Sequence, residues 1–331
     1  MLIWLPPSEG KNAPERGPAL SLESLSRPSL TGARRAVADA LVALGSGPQA
    51  AATLWLLPAS LVSVVESVLA AGLQAVAVRV DEDGLVPDGA LWRAAPPRLV
   101  YVTPSHQYPL GSVLSLERRL HLLNLVEASG GWLIEDDYDS DFNHARPGSR
   151  PLPAIQGLRP DAPVVYVGTF SKLLYPGLRI AYLVVPRWAV ADIGEAIHNL
   201  YRGGQAVEQR ALARFLDGGL LTRHARRMAP VYRERQAVLR AELRARFGDE
   251  CAILGGHAGL HLVLCLPDGM PDNRLVEAAL AQGVVVRALS GYYANQDAGT
   301  ACNGLVLGYG MAESAQIAGL VRRLVDFVPS T

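Results

Sequence analysis

Short apolar runs alternate with helical segments along this chain, and that alternation constrains its fold more than any other feature. Between residues 51 and 185 the apolar runs end in turn-forming clusters, and the segments between them have the apolar spacing of helices. Strands that alternate with helices of about 10–15 residues are typical of a parallel, doubly wound sheet. We therefore predict an α/β fold with a mostly parallel sheet in a large domain and helices on both of its faces.

The strands and helices of this first part can be placed from their end signals. Ser115 is a natural N-cap for a helix through Glu127, and Gly130 and Gly131 close that helix. Runs rich in β-branched residues mark the strands. Predicted strands cover residues 75–80, 98–103, 132–135, 162–168 and 180–185, and further predicted helices cover residues 32–44 and 61–71.

The pattern changes after Pro186, where long helices replace the regular alternation. We predict helices over residues 206–217 and 223–247, strands over 260–266, 284–287 and 305–309, and a terminal helix over 314–327. This pattern indicates a smaller C-terminal α+β domain that begins near residue 225. The predicted division is an N-terminal segment 1–45, a large domain 46–224 and a small domain 225–331.

Charge and composition exclude several classes of protein. The 331 residues carry 31 basic and 31 acidic side chains without a basic block, so we expect no nucleic-acid partner. No apolar run reaches about 18 residues, so we expect no membrane partner. The N-terminus lacks the basic and apolar regions of a signal peptide, which favours a cytoplasmic protein. Three cysteines without metal or CxxC spacing are interpreted as reduced thiols.

Lysine is nearly absent, since Lys11 and Lys172 are the only two lysines among 31 basic residues. A GC-rich genome explains the excess of arginine as a background effect. Against that background, a lysine that is present points to chemistry that needs a primary amine, because a guanidinium cannot replace it as a nucleophile.

Three polar segments follow predicted strands, where ligands of open α/β sheets usually bind. They cover residues 103–111, 135–142 and 168–179. The first contains His106 and Gln107, the second contains Asp136 and Tyr138, and the third contains Thr169, Ser171, Lys172 and Arg179.

These residue types fit one chemical purpose. A lysine amine can form a Schiff base with an aldehyde cofactor. A carboxylate opposite a pyridine nitrogen keeps that nitrogen protonated, and a tyrosine hydroxyl can bond a phenolic oxygen. Hydroxyl groups with an arginine can hold a phosphate monoester. The three segments therefore indicate a site for pyridoxal 5′-phosphate.

Five sequence runs carry a resemblance to a known family. They are VYVTPSHQYPLG, IEDDYDSDF, VYVGTFSKLLYPGLRIAYLVVP, GLHLVLCLP and NGLVLGYG, in that order along the chain. From about residue 50 to its end the chain resembles the aminotransferase-like domain of MocR/GabR-type regulators, which belong to the fold-type I superfamily of pyridoxal-phosphate-dependent transferases.

The resemblance implies a role for each candidate residue and a homodimer. Lys172 would form the Schiff base, Asp136 would face the pyridine nitrogen, and Tyr138 would face the phenolic oxygen. Thr169, Ser171 and Arg179 would surround the phosphate.

Other candidates keep two interpretations. His106 and Gln107 are either cofactor-binding residues or turn residues at a strand end. Arg287 is a candidate for binding a substrate carboxylate, or a surface arginine. His257 and His261 fit packing or turn positions better than ligands, and no metal site is predicted.

The chain departs from the family pattern near its N-terminus. The winged-helix DNA-binding domain of these regulators is not found, and residues 47–51 resemble the family's phosphate-binding turn only weakly. Residues 52–75 contain no convincing aromatic to stack on the cofactor. Residues 1–44, with the run PPSEGK, resemble the start of the YaaA-type peroxide-stress family.

Three functions follow as hypotheses. The first is a cytoplasmic, homodimeric aminotransferase that acts on an amino acid or another primary amine through a Schiff base on Lys172. The second is a catalytically weak module that binds pyridoxal phosphate and senses an effector, derived from a MocR-type regulator. The third is a YaaA-like stress protein.

Overall fold

A computed structural model describes most of the chain beyond residue 73. The described residues are 2–4, 53–56, 74–142, 152–201, 205–249, 251–267, 269–293 and 303–325. The helices predicted over residues 32–44 and 61–71 lie outside this part, and so does the YaaA-like segment apart from residues 2–4.

A seven-stranded sheet in the order β1-β9-β8-β7-β6-β2-β3 forms the centre of the large domain. A small hairpin, β4 and β5, lies between β3 and β6 in the sequence. The nine strands are β1 Leu2–Trp4, β2 Thr53–Leu56, β3 Gln74–Ala77, β4 Val80–Asp81, β5 Gly84–Leu85, β6 Leu99–Val102, β7 Trp132–Asp137, β8 Val164–Thr169 and β9 Ala181–Val184.

The sheet is mostly parallel, which confirms the predicted fold class. Strands β3, β2, β6, β7 and β8 pair in parallel. The strand predicted over residues 180–185 is present as β9, but it runs antiparallel to β8, and β1 pairs in parallel with β9. The connection from β8 to β9 contains only the 3-10 turn Pro176–Leu178. A parallel crossover usually needs a longer connection with a helix, so the chain returns in the opposite direction.

Five helices accompany this sheet in the described part of the chain, and their end signals follow the sequence. They are α1 Gly89–Ala94, α2 Leu116–Ser129, α3 Ile155–Leu158, α4 Val190–Tyr201 and α5 Ala206–Asp217. The Ser115 side chain accepts a hydrogen bond from the N–H of Arg118 at 3.4 Å, which confirms the predicted N-cap of α2. Helix α5 has the predicted bounds.

The core of the large domain lies between α2 and the middle of the sheet. Leu122, Leu123 and Val126 of α2 are buried with Val100 of β6 and Leu133 of β7. All four residues of β6 are buried, as expected for a strand of a parallel sheet that is covered on both faces. This packing fixes the strands whose carboxyl ends carry the polar segments.

Among the described residues, the small domain is an antiparallel sheet with three helices. The sheet has the order β10-β11-β13-β12. The elements are α6 Leu220–Phe247, β10 Ile253–Leu254, β11 His261–Cys265, α7 Asp272–Ala281, β12 Arg287–Ala288, β13 Gly304–Gly308 and α8 Ser314–Val325. Of the strand predicted over residues 284–287, only the end is extended.

The predicted domain boundary at residues 224–225 falls inside α6, which runs without interruption over 28 residues. The division into domains at that point stays a prediction. Within the described part of the chain, no helix is both long and apolar enough to cross a membrane.

Candidate functional site

Three neighbouring strands end at the same edge of the sheet, and each is followed by one of the polar segments. The pairing of Val102 with Glu135 joins the ends of β6 and β7, and the pairing of Asp136 with Val167 joins β7 to β8. The structure therefore brings the segments 103–111, 135–142 and 168–179 together, because carboxyl ends of parallel strands meet at one edge.

Asp136 is the middle one of three carboxylate residues that end β7, and it precedes Asp137, the last residue of the strand. Asp136 is 2% exposed, and its Oδ2 accepts a hydrogen bond from the Tyr101 hydroxyl at 2.5 Å. Tyr101 is also buried and lies on the neighbouring strand β6. The hydrogen bond fixes the orientation of the carboxylate. Tyr101 is not among the residues predicted from the sequence, although a tyrosine in the otherwise aliphatic run LVYV is a usable signal.

Tyr138 lies beside a buried histidine–aspartate pair. His106 Nδ1 is 2.9 Å from Asp139 Oδ2 and 3.2 Å from Tyr138 Oη. Burial raises the pKa of Tyr138 well above its usual value, and the negative charge of Asp139 adds to the effect. Tyr138 therefore keeps its hydroxyl hydrogen at neutral pH. Asp139 is not among the predicted site residues, although it lies inside the acidic run of the same motif.

His261 packs against this cluster from the small domain. Its ring centroid is 4.7 Å from that of His106, and its Nε2 is 2.9 Å from the carbonyl oxygen of Pro109. Burial lowers the pKa of His261 to about 4, with a further contribution from His106 and a smaller one from the positive charge of Lys172. His261 is therefore neutral at pH 7.

Two histidines and one carboxylate of this cluster also have the residue types of a metal site. The ligating atoms of His106, Asp139 and His261 lie within 4.8 Å of one another, and all three residues are buried. Hydrogen bonds already engage the Asp139 carboxylate and Nε2 of His261. The cluster is thus accounted for as a hydrogen-bonded group, and we assign no metal to it.

The segment after β8 carries the hydroxyls and cations. The Thr169 hydroxyl donates to Ser171 Oγ at 3.0 Å and accepts from the Ser171 N–H at 3.1 Å. Thr169 is buried, whereas Lys172 and Arg179 are exposed. Arg179 has a left-handed backbone, with φ of 54°. The two hydroxyls are held together by their own turn, in the segment that also contains Lys172 and Arg179.

Gln107 belongs to the turn that follows β6. Its Nε2 donates to the carbonyl of Tyr108 at 2.8 Å, and its Oε1 accepts from the N–H of Leu110 at 2.9 Å. The peptide bond between Tyr108 and Pro109 in this turn is cis. These contacts favour the turn-residue interpretation of Gln107, because both ends of its amide are engaged inside the turn.

Arg287 is exposed at the start of β12. Its Nη1 lies 3.5 Å from Tyr292 Oη, which is 2.9 Å from the hydroxyl of Tyr108 in the large domain. The hydrogen bond with Tyr292 raises the pKa of Arg287. A chain of hydroxyl groups thus links this arginine to the turn that follows β6, and its role toward a substrate stays a prediction.

A cavity of about 830 Å³ lies nearby but does not coincide with the site. Ser105, Asp137, Ser140 and His257 are among the residues that line it, whereas Lys172, Asp136 and Tyr138 are not. The shared edge of the three strands, rather than this cavity, locates the candidate site.

The chain is similar to a known protein family and to proteins of known name. The profile of the family "Aminotransferase class I and II" matches residues 87–301. The uncharacterized HTH-type transcriptional regulator YhdI of Bacillus subtilis is 36% identical over 230 residues, which cover 70% of this chain and 47% of that protein. The probable rhizopine catabolism regulatory protein MocR of Rhizobium meliloti is 37% identical over 236 residues, covering 71% and 47%.

Enzymes are among the relatives as well. The 2-aminoadipate transaminase of Thermus thermophilus is 30% identical over 233 residues, covering 69% of this chain and 56% of the enzyme. The crystal structure of the α-aminoadipate aminotransferase LysN from the same organism matches with a TM-score of 0.77 at 26% identity, covering 92% of this chain and 77% of that one. The chain spans about half the length of the regulators that it matches.

Proposed function

This chain belongs to the aminotransferase class I and II family, and on that premise we propose that it is a pyridoxal-phosphate-binding module of the MocR type that senses an amino acid or another primary amine. Its fold is that of the fold-type I aminotransferases. The observation that carries the proposal is that the relatives at 36–37% identity are a transcriptional regulator and a regulatory protein, whereas the aminotransferases match at 24–30%.

The groups at the strand edge fit pyridoxal phosphate. A buried carboxylate is held in place by a phenol, and a second phenol keeps its hydrogen at neutral pH. Two hydroxyls lie together at the end of β8, in the segment that also contains Arg179 and the exposed amine of Lys172. These groups match the four parts of the cofactor: the carboxylate suits a pyridine nitrogen, the second phenol a phenolic oxygen, the hydroxyls and the arginine a phosphate, and the amine an aldehyde.

We assign each residue a part in holding the cofactor. Asp136 would hold the pyridine nitrogen in its protonated form, and Tyr138 would donate its hydroxyl hydrogen to the phenolic oxygen. The hydroxyls of Thr169 and Ser171, together with Arg179, would hold the phosphate. When bound, pyridoxal phosphate supplies a ring that withdraws electrons from the carbon next to an amine.

Lys172 has two functions in this proposal. Its Nζ would attach the cofactor covalently, because a primary amine can condense with an aldehyde. In its free form the same Nζ would hold or move a proton at the carbon next to an incoming amine. Lys172 is exposed, so an incoming amine has access to it.

A second candidate function is that of an active aminotransferase. The 30% identity to 2-aminoadipate transaminase favours it, together with the exposed amine of Lys172 beside the Thr169–Ser171 turn. Both candidates include a homodimer and a small amine as ligand. The resemblance of residues 1–44 to the YaaA-type family stays a prediction, since all but residues 2–4 of that segment lie outside the described part of the chain.

Absorbance of the purified protein with pyridoxal phosphate tests the shared part of both candidates. The wild-type chain should show a band at the blue edge of the visible range, and borohydride reduction should leave a pyridoxyl label on Lys172. Lys172→Arg keeps the charge but should lose both signals. Lys11→Arg removes the only other lysine and should keep both. A wild-type protein without the band would overturn both candidates.

Addition of amines then separates the two functions. A sensing module should change its spectrum when an amine binds, but it should not convert the cofactor to its pyridoxamine form over repeated turnover. Steady conversion with an amino donor and a keto-acid acceptor would instead support the aminotransferase. Sedimentation of the same preparation tests the proposed homodimer.

A further inference from the structure

The buried cluster beside Tyr138 has no part in the roles assigned above. His106 Nδ1 lies 2.9 and 3.1 Å from the two carboxylate oxygens of Asp139, and 3.2 Å from Tyr138 Oη. His106 is 1% exposed and Asp139 is 2% exposed. A single imidazole nitrogen therefore contacts both a carboxylate and the phenol that the proposed site needs.

The chemistry of these groups decides where the hydrogens lie. A carboxylate only accepts hydrogen bonds, so His106 Nδ1 carries the hydrogen that it shares with Asp139. The same N–H faces Tyr138 Oη, which accepts in that contact, and the hydroxyl hydrogen of Tyr138 is then directed away from His106. His106 Nε2 is buried and has no hydrogen-bond partner among the described residues, which suits an imidazole whose hydrogen is on Nδ1.

The small domain covers this pair with a stretch of backbone. Gly259 has φ of +77°, and a Cβ atom at this position would lie 2.2 Å from Asp139 Oδ2 and 2.3 Å from His106 Nδ1. The N–H of Gly259 donates to the carbonyl of Phe142 at 2.9 Å, and its carbonyl accepts from the Tyr309 hydroxyl at 2.6 Å. The pair is thus shielded from water. In such a buried environment, hydrogen bonds to a charged group are stronger than they are in water.

We propose that His106 is a positioning residue for Tyr138. Asp139 holds the imidazole with its hydrogen on Nδ1, this N–H occupies the oxygen of Tyr138, and the hydroxyl hydrogen of Tyr138 is thereby aimed into the cofactor site. The inference rests on the proposed function, because it concerns the phenol that would meet the cofactor's phenolic oxygen. It adds His106 and Asp139 to the site as residues that act through Tyr138.

A double-mutant cycle tests this relationship. The dissociation constant for pyridoxal phosphate and the absorbance maximum of the complex are measured for the wild type, His106→Phe, Tyr138→Phe and the double variant. Each single change should weaken binding about tenfold and shift the maximum in the same direction, since Tyr138→Phe removes the hydroxyl and His106→Phe removes the N–H that orients it. The double variant should be no weaker than Tyr138→Phe alone, because His106 acts through Tyr138.

Further variants distinguish a positioning effect from a loss of folding. His106→Phe leaves the buried Asp139 carboxylate without its imidazole, which destabilises a fold. His106→Asn places an amide N–H near the Nδ1 position and should restore binding to within about threefold of the wild type. Asp139→Asn should show a spectral shift in the same direction as His106→Phe. His121→Asn, an exposed change on α2, is the matched control and should behave as the wild type.

The outcomes separate this inference from the function on which it rests. If the wild type gives no band, the proposed function fails and this inference fails with it. If the wild type binds but the effects of His106→Phe and Tyr138→Phe add, or if His106→Asn behaves as His106→Phe in a folded protein, the positioning role is wrong and the cofactor site stands. Non-additive effects with rescue by His106→Asn support the inference.

Discussion

The Tyr101 hydroxyl donates a 2.5 Å hydrogen bond to Asp136 Oδ2, so two neighbouring strands hold one buried carboxylate between them. Tyr101→Phe removes that hydrogen bond and leaves the ring packing intact. We expect pyridoxal phosphate to bind about tenfold more weakly, because Asp136 is then less firmly oriented toward the pyridine nitrogen.

Titration of the cofactor's absorbance band measures this effect. Tyr232→Phe is the matched control, because its ring packs on Phe142 at a centroid distance of 4.7 Å and that contact needs no hydroxyl. Unchanged cofactor affinity in Tyr101→Phe would mean that the orientation of Asp136 does not depend on the neighbouring strand.

Two adjacent arginines of α2 should differ sharply in their effect on stability. Arg119 is buried and donates to the carbonyls of Leu114, Pro153 and Pro104 at 2.8–2.9 Å. Arg119→Met leaves these three carbonyls without their donor, two of them on the buried residues Leu114 and Pro104, and should lower the free energy of unfolding by about 3 kcal/mol. Urea denaturation measures the loss.

The control is the residue before it. Arg118 pairs with Asp81 near the surface, where both side chains are partly exposed, and it also donates to the carbonyl of Gly84 at 2.9 Å. Arg118→Met should therefore cost less than Arg119→Met, about 1–2 kcal/mol. Equal losses for the two variants would contradict a structural role for the buried Arg119.

Glu135 should make the stability of the protein depend on pH. It is fully buried and accepts hydrogen bonds from the N–H groups of Ile155 and Gln156, each at 3.0 Å. Burial raises its pKa to about 7, from 4.5 in water. The folded state therefore keeps a proton that the unfolded state has lost between these pH values, so stability falls as the pH rises from about 4.5 to about 7.

Glu135→Gln cannot titrate and isolates this contribution. The difference in unfolding free energy between the wild type and Glu135→Gln should fall by about 2–3 kcal/mol between pH 4.5 and pH 7 and then level off. Urea denaturation across this range measures it. A difference that stays constant with pH would show that Glu135 has the same pKa in the folded and unfolded chain.

Much of the fold and of the site could be predicted because the signals are local. Ser115 caps its helix with atoms from residues three positions apart, and the apolar runs mark β6, β7 and β8 within one to three residues. Since ligands of parallel sheets bind at carboxyl strand ends, the polar runs after these strands predicted that the candidate residues share one edge of the sheet.

The remaining features depend on contacts between distant parts of the chain. Tyr101 meets Asp136 across 35 positions and His106 meets Asp139 across 33, so only the register of β6 against β7 brings these pairs together. The reversed direction of β9 follows from a short connection without a helix rather than from its apolar pattern. These contacts form only when the sheet is assembled, so local patterns in a single sequence do not predict them.

The contact of Gly259 with the His106–Asp139 pair should make position 259 intolerant of any side chain. Its φ of +77° is strained for alanine, and a Cβ would lie 2.2 Å from Asp139 Oδ2. We expect Gly259→Ala to lower the free energy of unfolding by about 3 kcal/mol, the sum of backbone strain and overpacking. Gly269→Ala is the matched control, since Gly269 has φ of +89° with no atom within 4 Å of its Cβ position, and it should lose only about 1 kcal/mol. Urea denaturation compares the two variants. Equal losses of unfolding free energy would mean that the backbone at Gly259 does not pack closely against the His106–Asp139 pair.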